Sequence, residues 1–167
     1  SGGDRRFLLQ RGVLLIVMEF TLVNFALSFD IRFRLLIFEV IATIGAGMIA
    51  LSFLSRMSTR TILIIAAILI AGHDVIDLVP MPTNKTLGFI GALLLGPGAF
   101  QLGGGRLFAI AYPILPLLGI MLAGFGAGPV FTWPPEKRKK FLIRSGLAAL
   151  VPFTSLRWPN SYGDPFH

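Results

Sequence analysis

The sequence predicts an all-α fold: a polytopic transmembrane helix bundle of about five spans plus one short re-entrant or interfacial segment. Three observations lead there. Apolar residues make up 54% of the chain and charged residues 14%, against about 25% charged in an average soluble domain, so a water-facing surface could not be covered. The apolar residues fall into runs close to the roughly 20 residues that cross a bilayer, and mean hydropathy is +0.79. The basic residues stand in short clusters between those runs. They form no aromatic-interleaved stripe, which suits loops facing anionic lipid and argues against a nucleic-acid partner.

The elements follow in chain order. Phe7–Phe29 is the first span and carries Arg11, Glu19 and Asn24. Phe33–Leu54 is the second, with Glu39 as its charge, and Thr59–Val79 the third, closing on Gly72-His73-Asp74-Val75-Ile76-Asp77. Leu87–Phe100 is short for a crossing and ends in Gly-Pro-Gly, which suits a re-entrant or interfacial piece. Gly103-Gly104-Gly105 then reads as a flexible loop; it lacks the Lys-Ser/Thr of a phosphate-binding loop and follows no expected strand. Leu107–Phe131 is the fourth span, with Pro113 and Pro116 expected to kink it or simply repack it and Gly119, Gly124 and Gly128 expected to let helices pack closely. Phe141–Leu156 is the fifth, with Arg144 near its start.

The charges set an orientation. If Leu87–Phe100 does not cross, the side of the N-terminus holds Arg5, Arg6, Arg56, Arg60 and the Lys137–Lys140 cluster. The other side holds Arg32, Arg34, Lys85, Arg106 and Arg157. That bias places residue 1 in the cytoplasm and residue 167 outside it. A bacterial cytoplasmic (inner) membrane is the expected location. With no cysteine, disulfides, thiolate metal sites and a cysteine nucleophile are excluded. The chain opens Ser-Gly-Gly-Asp, so residues 1–167 are expected to be one transmembrane domain that is part of a larger multi-helix domain.

In this orientation the ionisable residues converge on the outer half of the bundle. Glu19 falls near mid-membrane with Asn24 above it, and Glu39 in the outer third of the second span. His73, Asp74 and Asp77 lie at the outer end of the third, on the same side as Tyr162 and Asp164 of the tail. Charged groups within a bilayer are rare unless they face a cavity or a partner. Each has a structural reading too. Glu19 and Arg11 lie about two turns apart and could neutralise each other, and His73 and Asp77 could close a helix end at i, i+4 spacing. Two such ligands make no metal site, and none is expected.

Several segments bear a family likeness. The run Arg11-Gly12-Val13-Leu14-Leu15-Ile16-Val17-Met18-Glu19-Phe20-Thr21-Leu22-Val23-Asn24-Phe25 resembles a transmembrane segment of bacterial membrane proteins related to heparan-alpha-glucosaminide N-acetyltransferase. So do Ala71–Asp77, the segment Tyr112–Met121 and the tail Tyr162-Gly163-Asp164-Pro165, in the same order. The resemblance implies a multi-helix acyltransferase-like protein. It would move an acetyl group from acetyl-CoA, a donor substrate rather than a bound cofactor, to a sugar or glycan acceptor on the extracytoplasmic side. The family's Arg-Gly helix and its transfer histidine precede the matched region, so that role is not carried onto His73.

For such chemistry Glu19, His73 and Asp77 are the residue types that serve or orient a base at the acceptor. Asn24, Glu39, Asp74, Tyr162 and Asp164 complete an acceptor-side cluster. Arg11 or Arg144 could meet the phosphates of the donor, against a plainer role at the lipid interface. Beyond the bilayer itself, a homodimer is left open. The competing reading is a transporter or permease component without enzymatic activity, since broken Gly/Pro helices and midplane charges also mark transport paths.

Overall fold

The computed structural model describes residues 2–76 and 84–157, with side chains described for residues 4–72 and 84–155. It contains two compact units, 1–123 and 124–167. The fold is mostly helical, but a small three-stranded sheet corrects the all-α expectation. Among the described residues, two helices are long and apolar enough to cross a membrane, Asp4–Ser28 and Ile114–Thr132, while Val40–Leu54, Thr59–Gly72 and Lys85–Leu94 are shorter apolar helices.

In the first unit, α1 (Gly2–Met18) runs through a π-helical turn (Glu19–Val23) into α2 (Asn24–Ser28). The helix ends at Phe29, whose left-handed backbone (φ 48°) closes the last turn by donating its N–H to Phe25 O at 2.7 Å. Phe33 is also left-handed (φ 46°), a conformation that bulky residues adopt only under constraint. Asp30 supplies that constraint. Its carboxylate accepts from the N–H of Arg32 at 2.9 Å, the N–H of Arg34 at 3.2 Å and Arg34 Nε at 2.8 Å.

The expected second span begins instead as strand β1 (Leu35–Phe38), and only then becomes α3 (Val40–Leu54). The fourth likewise begins as β3 (Arg106–Ile110) before α6 (Ile114–Ala127). Between them lie α4 (Thr59–Ile76), α5 (Lys85–Leu94) and β2 (Gly98–Gly103). The expected re-entrant piece is therefore a helix turning into a strand. β1 pairs parallel to β3, and β2 pairs antiparallel to β3, in the order β1-β3-β2. Strand-forming β-branched and aromatic side chains pack well on such a surface; here Phe100 faces Phe108 across the hairpin. Gly103, Gly104 and Gly105 all have positive φ, and Gly103 sits at a register shift. They form the hairpin turn, not a flexible loop.

The prolines also behave differently from expectation. Pro113 immediately precedes α6 and Pro116 lies in its first turn. There a missing N–H breaks no helical bond, so these prolines start the helix rather than kink it.

Two apolar clusters hold this unit. Leu51, Ile62, Ala66, Leu118 and Leu122 join α3, α4 and α6. Phe38, Ala42, Ala92 and Ile110 join the sheet to α3 and α5. Over the second cluster the rings of Phe20 and Phe108 stack at 5.9 Å and those of Phe89 and Phe100 meet edge-on at 5.1 Å. α1 and α3 touch through Gly12 and Gly45: a Cβ on Gly12 would stand 2.6 Å from Gly45 O and 2.7 Å from Ile49 Cγ1. Gly119 packs as expected, since a Cβ there would meet Leu69 Cβ at 3.0 Å. Gly124 and Gly128 do not, because nothing among the described residues lies within 4 Å of their Cβ positions.

The second unit carries a 3-10 turn (Gly128–Thr132) and α7 (Pro135–Arg157), which contains the fifth apolar run. Its Leu142, Ile143, Leu147, Leu150 and Val151 are all exposed.

Three outcomes follow. Gly12→Ala should destabilise the protein by about 1–3 kcal/mol through overpacking of two backbones, read as a lowered denaturant midpoint. Gly146→Ala, with nothing within 4 Å, should instead gain about 0.5–1 kcal/mol of helix propensity. Asp30 titrates below its ordinary value of 3.8, chiefly because Arg34 hydrogen-bonds the carboxylate and then because the Arg32 N–H does. A depressed carboxylate stabilises above its unfolded value and loses that contribution as pH falls through the native one. Amide exchange of residues 29–34 should therefore accelerate as pH drops below about 4, beyond the intrinsic pH trend. In Asp30→Asn it should already be fast at neutral pH.

Candidate functional site

A buried polar group lies where three apolar segments stop being helical. The π turn is its origin. In a regular α-helix residues five apart point in different directions, whereas the i→i+5 bonding of a π turn brings them together. Asn24 accordingly bonds Glu19 twice, through its backbone N–H and through Nδ2, the latter at 2.8 Å from Glu19 O.

Asn24, 1% exposed, then reaches across to β1. Its Nδ2 also donates to Ile37 O at 2.8 Å, and its Oδ1 accepts from the Ile37 N–H at 2.6 Å. The side-chain amide thus acts as one rung of a further strand beside β1. The sequence placed Asn24 in an acceptor-side cluster. The structure gives it a backbone-pairing task.

Glu19 is fully shielded at 0% exposure. Its Oε2 accepts from the Ala42 N–H at 3.0 Å, one of the free donors in the first turn of α3. A carboxylate there also meets the positive end of the helix dipole. Its Oε1 is buried without a hydrogen-bond partner among the described residues. Glu39, half-buried, is the N-cap residue of α3, yet its side chain makes no cap hydrogen bond. Glu19, arriving from another helix, takes over that work.

Thr43 completes the junction. Its Oγ1 lies 2.8 Å from both Glu39 O and Tyr112 O, so a single hydroxyl proton serves the start of α3 and the segment between β3 and α6. Sequence reasoning missed Thr43. A lone Thr four residues after Glu39 was the available signal, and it reads equally as a helix filler.

Glu19, Asn24 and Glu39 are therefore brought to one place. Arg11 is not: it is exposed, its guanidinium lies 4.3 Å from the Phe7 ring centroid, and it does not neutralise Glu19. Arg144 lies in the second unit, on the wall of a separate cavity. The backbone of His73 and Asp74 belongs to α4 but their side chains lie outside the described residues. Asp77, Tyr162 and Asp164 lie wholly outside them. Among the described residues no group of three or more His, Cys, Asp or Glu could hold a metal ion.

Chemically, the group offers one carboxylate oxygen fixed by a helix start and one free for a proton or a donor. No family model, curated protein or solved structure matches the chain.

Asn24→Leu should cost about 1–3 kcal/mol for each Ile37 backbone group left unpaired. Unfolding of the purified protein would measure this. Asn24→Gln should recover little, because its longer amide cannot occupy the same rung.

Proposed function

We propose that the chain is an integral membrane protein of about five spans, with residue 1 on the cytoplasmic side, and that it transfers an acyl group. The membrane reading is supported by exposure. A core helix of a soluble protein would be mostly covered, but 17% of the apolar window in Asp4–Ser28 and 28% of that in Ile114–Thr132 is buried. Val13, Leu14, Val17 and Leu22 point outward, and apolar surface of that extent calls for an apolar solvent. The 15 residues of α3 reach about 22 Å at 1.5 Å per residue, short of a bilayer core of about 30 Å. In this reading the span includes the apolar strand β1, which directly precedes α3.

The observation that carries the chemical reading is Glu19, buried in an apolar helix with one carboxylate oxygen held and the other free. Ionisable residues kept within a membrane segment mark function by default, and π turns recur at functional sites. The resemblance to heparan-alpha-glucosaminide N-acetyltransferase relatives supplies the reaction class. In it, the free oxygen of Glu19 takes the proton of an acceptor hydroxyl or amine as that group attacks an acyl thioester. The new oxygen–carbon or nitrogen–carbon bond forms, the carbon–sulfur bond breaks, and the released thiol takes up the proton. Acetyl-CoA is the donor that the resemblance suggests, and an extracytoplasmic sugar the acceptor.

A transporter remains the second reading. The helix interruptions at the π turn and at the β1–α3 and β3–α6 junctions favour it, because discontinuous membrane helices build midplane binding sites.

Labelled acetyl-CoA supplied to the protein in vesicles should yield an acylated sugar or lipid. Glu19→Gln, which keeps the acceptor for the Ala42 N–H, should fold normally and lower the rate about 10²–10⁴-fold, the usual worth of a general base. Movement of a solute without any acylated product sinks the transferase reading.

A further inference from the structure

The second unit contains a cavity of about 540 Å³, lined by Trp133, Glu136, Lys137, Lys140, Phe141 and Arg144. Helical spacing explains it: positions 137, 140, 141 and 144 share one face of α7. Trp133 closes it from just before the helix. The Trp133 and Phe141 rings meet edge-on, with centroids 5.2 Å apart and planes at 72°, and Lys137 Nζ lies 4.4 Å from the Trp133 centroid. Arg138, on the neighbouring face, donates Nη1 to Phe131 O at 3.1 Å, and the Trp133 N–H donates to Val130 O at 3.2 Å. The first bond fastens the Trp-bearing turn to the helix, and the second closes the turn itself.

The charges of this cavity are arranged against the helix that carries them. Three cations face one carboxylate, Glu136. Like charges three and four apart destabilise a helix, and cations in its first turns oppose the macrodipole. No salt bridge among the described residues engages Lys137, Lys140 or Arg144. Such an arrangement is relieved by an external anion.

The surroundings select that anion. Beyond Lys140, α7 presents exposed Leu142, Ile143, Leu147, Leu150 and Val151. A tryptophan and a basic cluster at the start of an apolar helix mark the headgroup level of a membrane. We propose that Trp133, Lys137, Lys140 and Arg144 form a binding site for the phosphate of an anionic phospholipid headgroup. The site takes the phosphodiester between the cations, while the lipid's glycerol and upper chains lie along Phe141 and the apolar side chains beyond it. This rests on the membrane reading and is independent of acyl transfer. It also gives Arg144 a lipid phosphate rather than a donor phosphate to hold.

The test uses the full chain in phosphatidylcholine vesicles. Of its two tryptophans, Trp158 is replaced by Phe so that emission reports Trp133 alone. A minor fraction of lipid, either phosphatidylglycerol or phosphatidylcholine, carries bromine in its chains as a quencher. Brominated phosphatidylglycerol should quench Trp133 more strongly than brominated phosphatidylcholine. Lys137→Gln, Lys140→Gln and Arg144→Gln should each lower that preference about fivefold, the worth of one cation near an anionic surface. The Lys137→Arg/Lys140→Arg pair should keep it, and unchanged helical circular dichroism should show that every variant is folded. Equal quenching by both lipids in inserted protein overturns the site, as does a preference that survives the three glutamines. Relief of quenching by soluble pyrophosphate or CoA would assign the phosphate to a soluble ligand instead. Removal of the protein from vesicles by alkaline carbonate would sink the membrane reading itself, a failure distinct from the others.

Discussion

A helix pairs its own backbone groups, and every interruption of an apolar helix releases N–H and C=O groups that apolar surroundings cannot pair. The first unit has such interruptions at the π turn, at the entry to α3 and at the entry to α6. One side chain meets each. Asn24 holds both polar groups of Ile37. Glu19 takes the Ala42 N–H. Thr43 ties Glu39 O to Tyr112 O. These three polar residues join the π turn, β1, the start of α3 and the entry to α6.

The starts of α3 and α7 answer the same electrostatic problem in opposite ways. A helix start is a partial positive charge. At α3 it receives a buried carboxylate from another helix, and the pairing is satisfied inside the protein, with one oxygen left without a partner among the described residues. At α7 the start is loaded with further positive charge beside an aromatic wall, and the pairing is left to something outside the protein. The first arrangement suits a reaction shielded from water. The second suits attachment to a charged surface.

The apolar runs were legible in the sequence because hydropathy reports burial or lipid contact whatever the backbone does, but the points at which they become helical were not. Glu19, Asn24 and Glu39 stood out because polar residues in apolar runs are conspicuous. What they do was not legible. A π turn adds a residue to one helical turn without altering composition, so nothing in the pattern announces that Glu19 and Asn24 share a side. Leu35–Phe38 and Arg106–Ile110 are short apolar runs that continue into helical ones, and periodicity cannot separate four strand residues from a further helical turn. The glycines show the same limit. Gly124 and Gly128 carry the familiar spacing yet face open space, whereas Gly12 and Gly45, on different helices, make the close contact that no local motif encodes.

The parallel pairing of β1 with β3 also bears on the order in which the chain acquires its shape. Leu35 meets Leu107 and Phe38 meets Ile110, partners that leave the ribosome only after α3, α4, α5 and β2 have been made. Non-local pairing of this kind waits on loop closure and is slow. Among the described residues, the side chain that pairs with the backbone of β1 from nearby in sequence is that of Asn24, eleven residues before Leu35. The Asn24 amide therefore lies along one edge of β1 at Ile37 and leaves the other edge to β3.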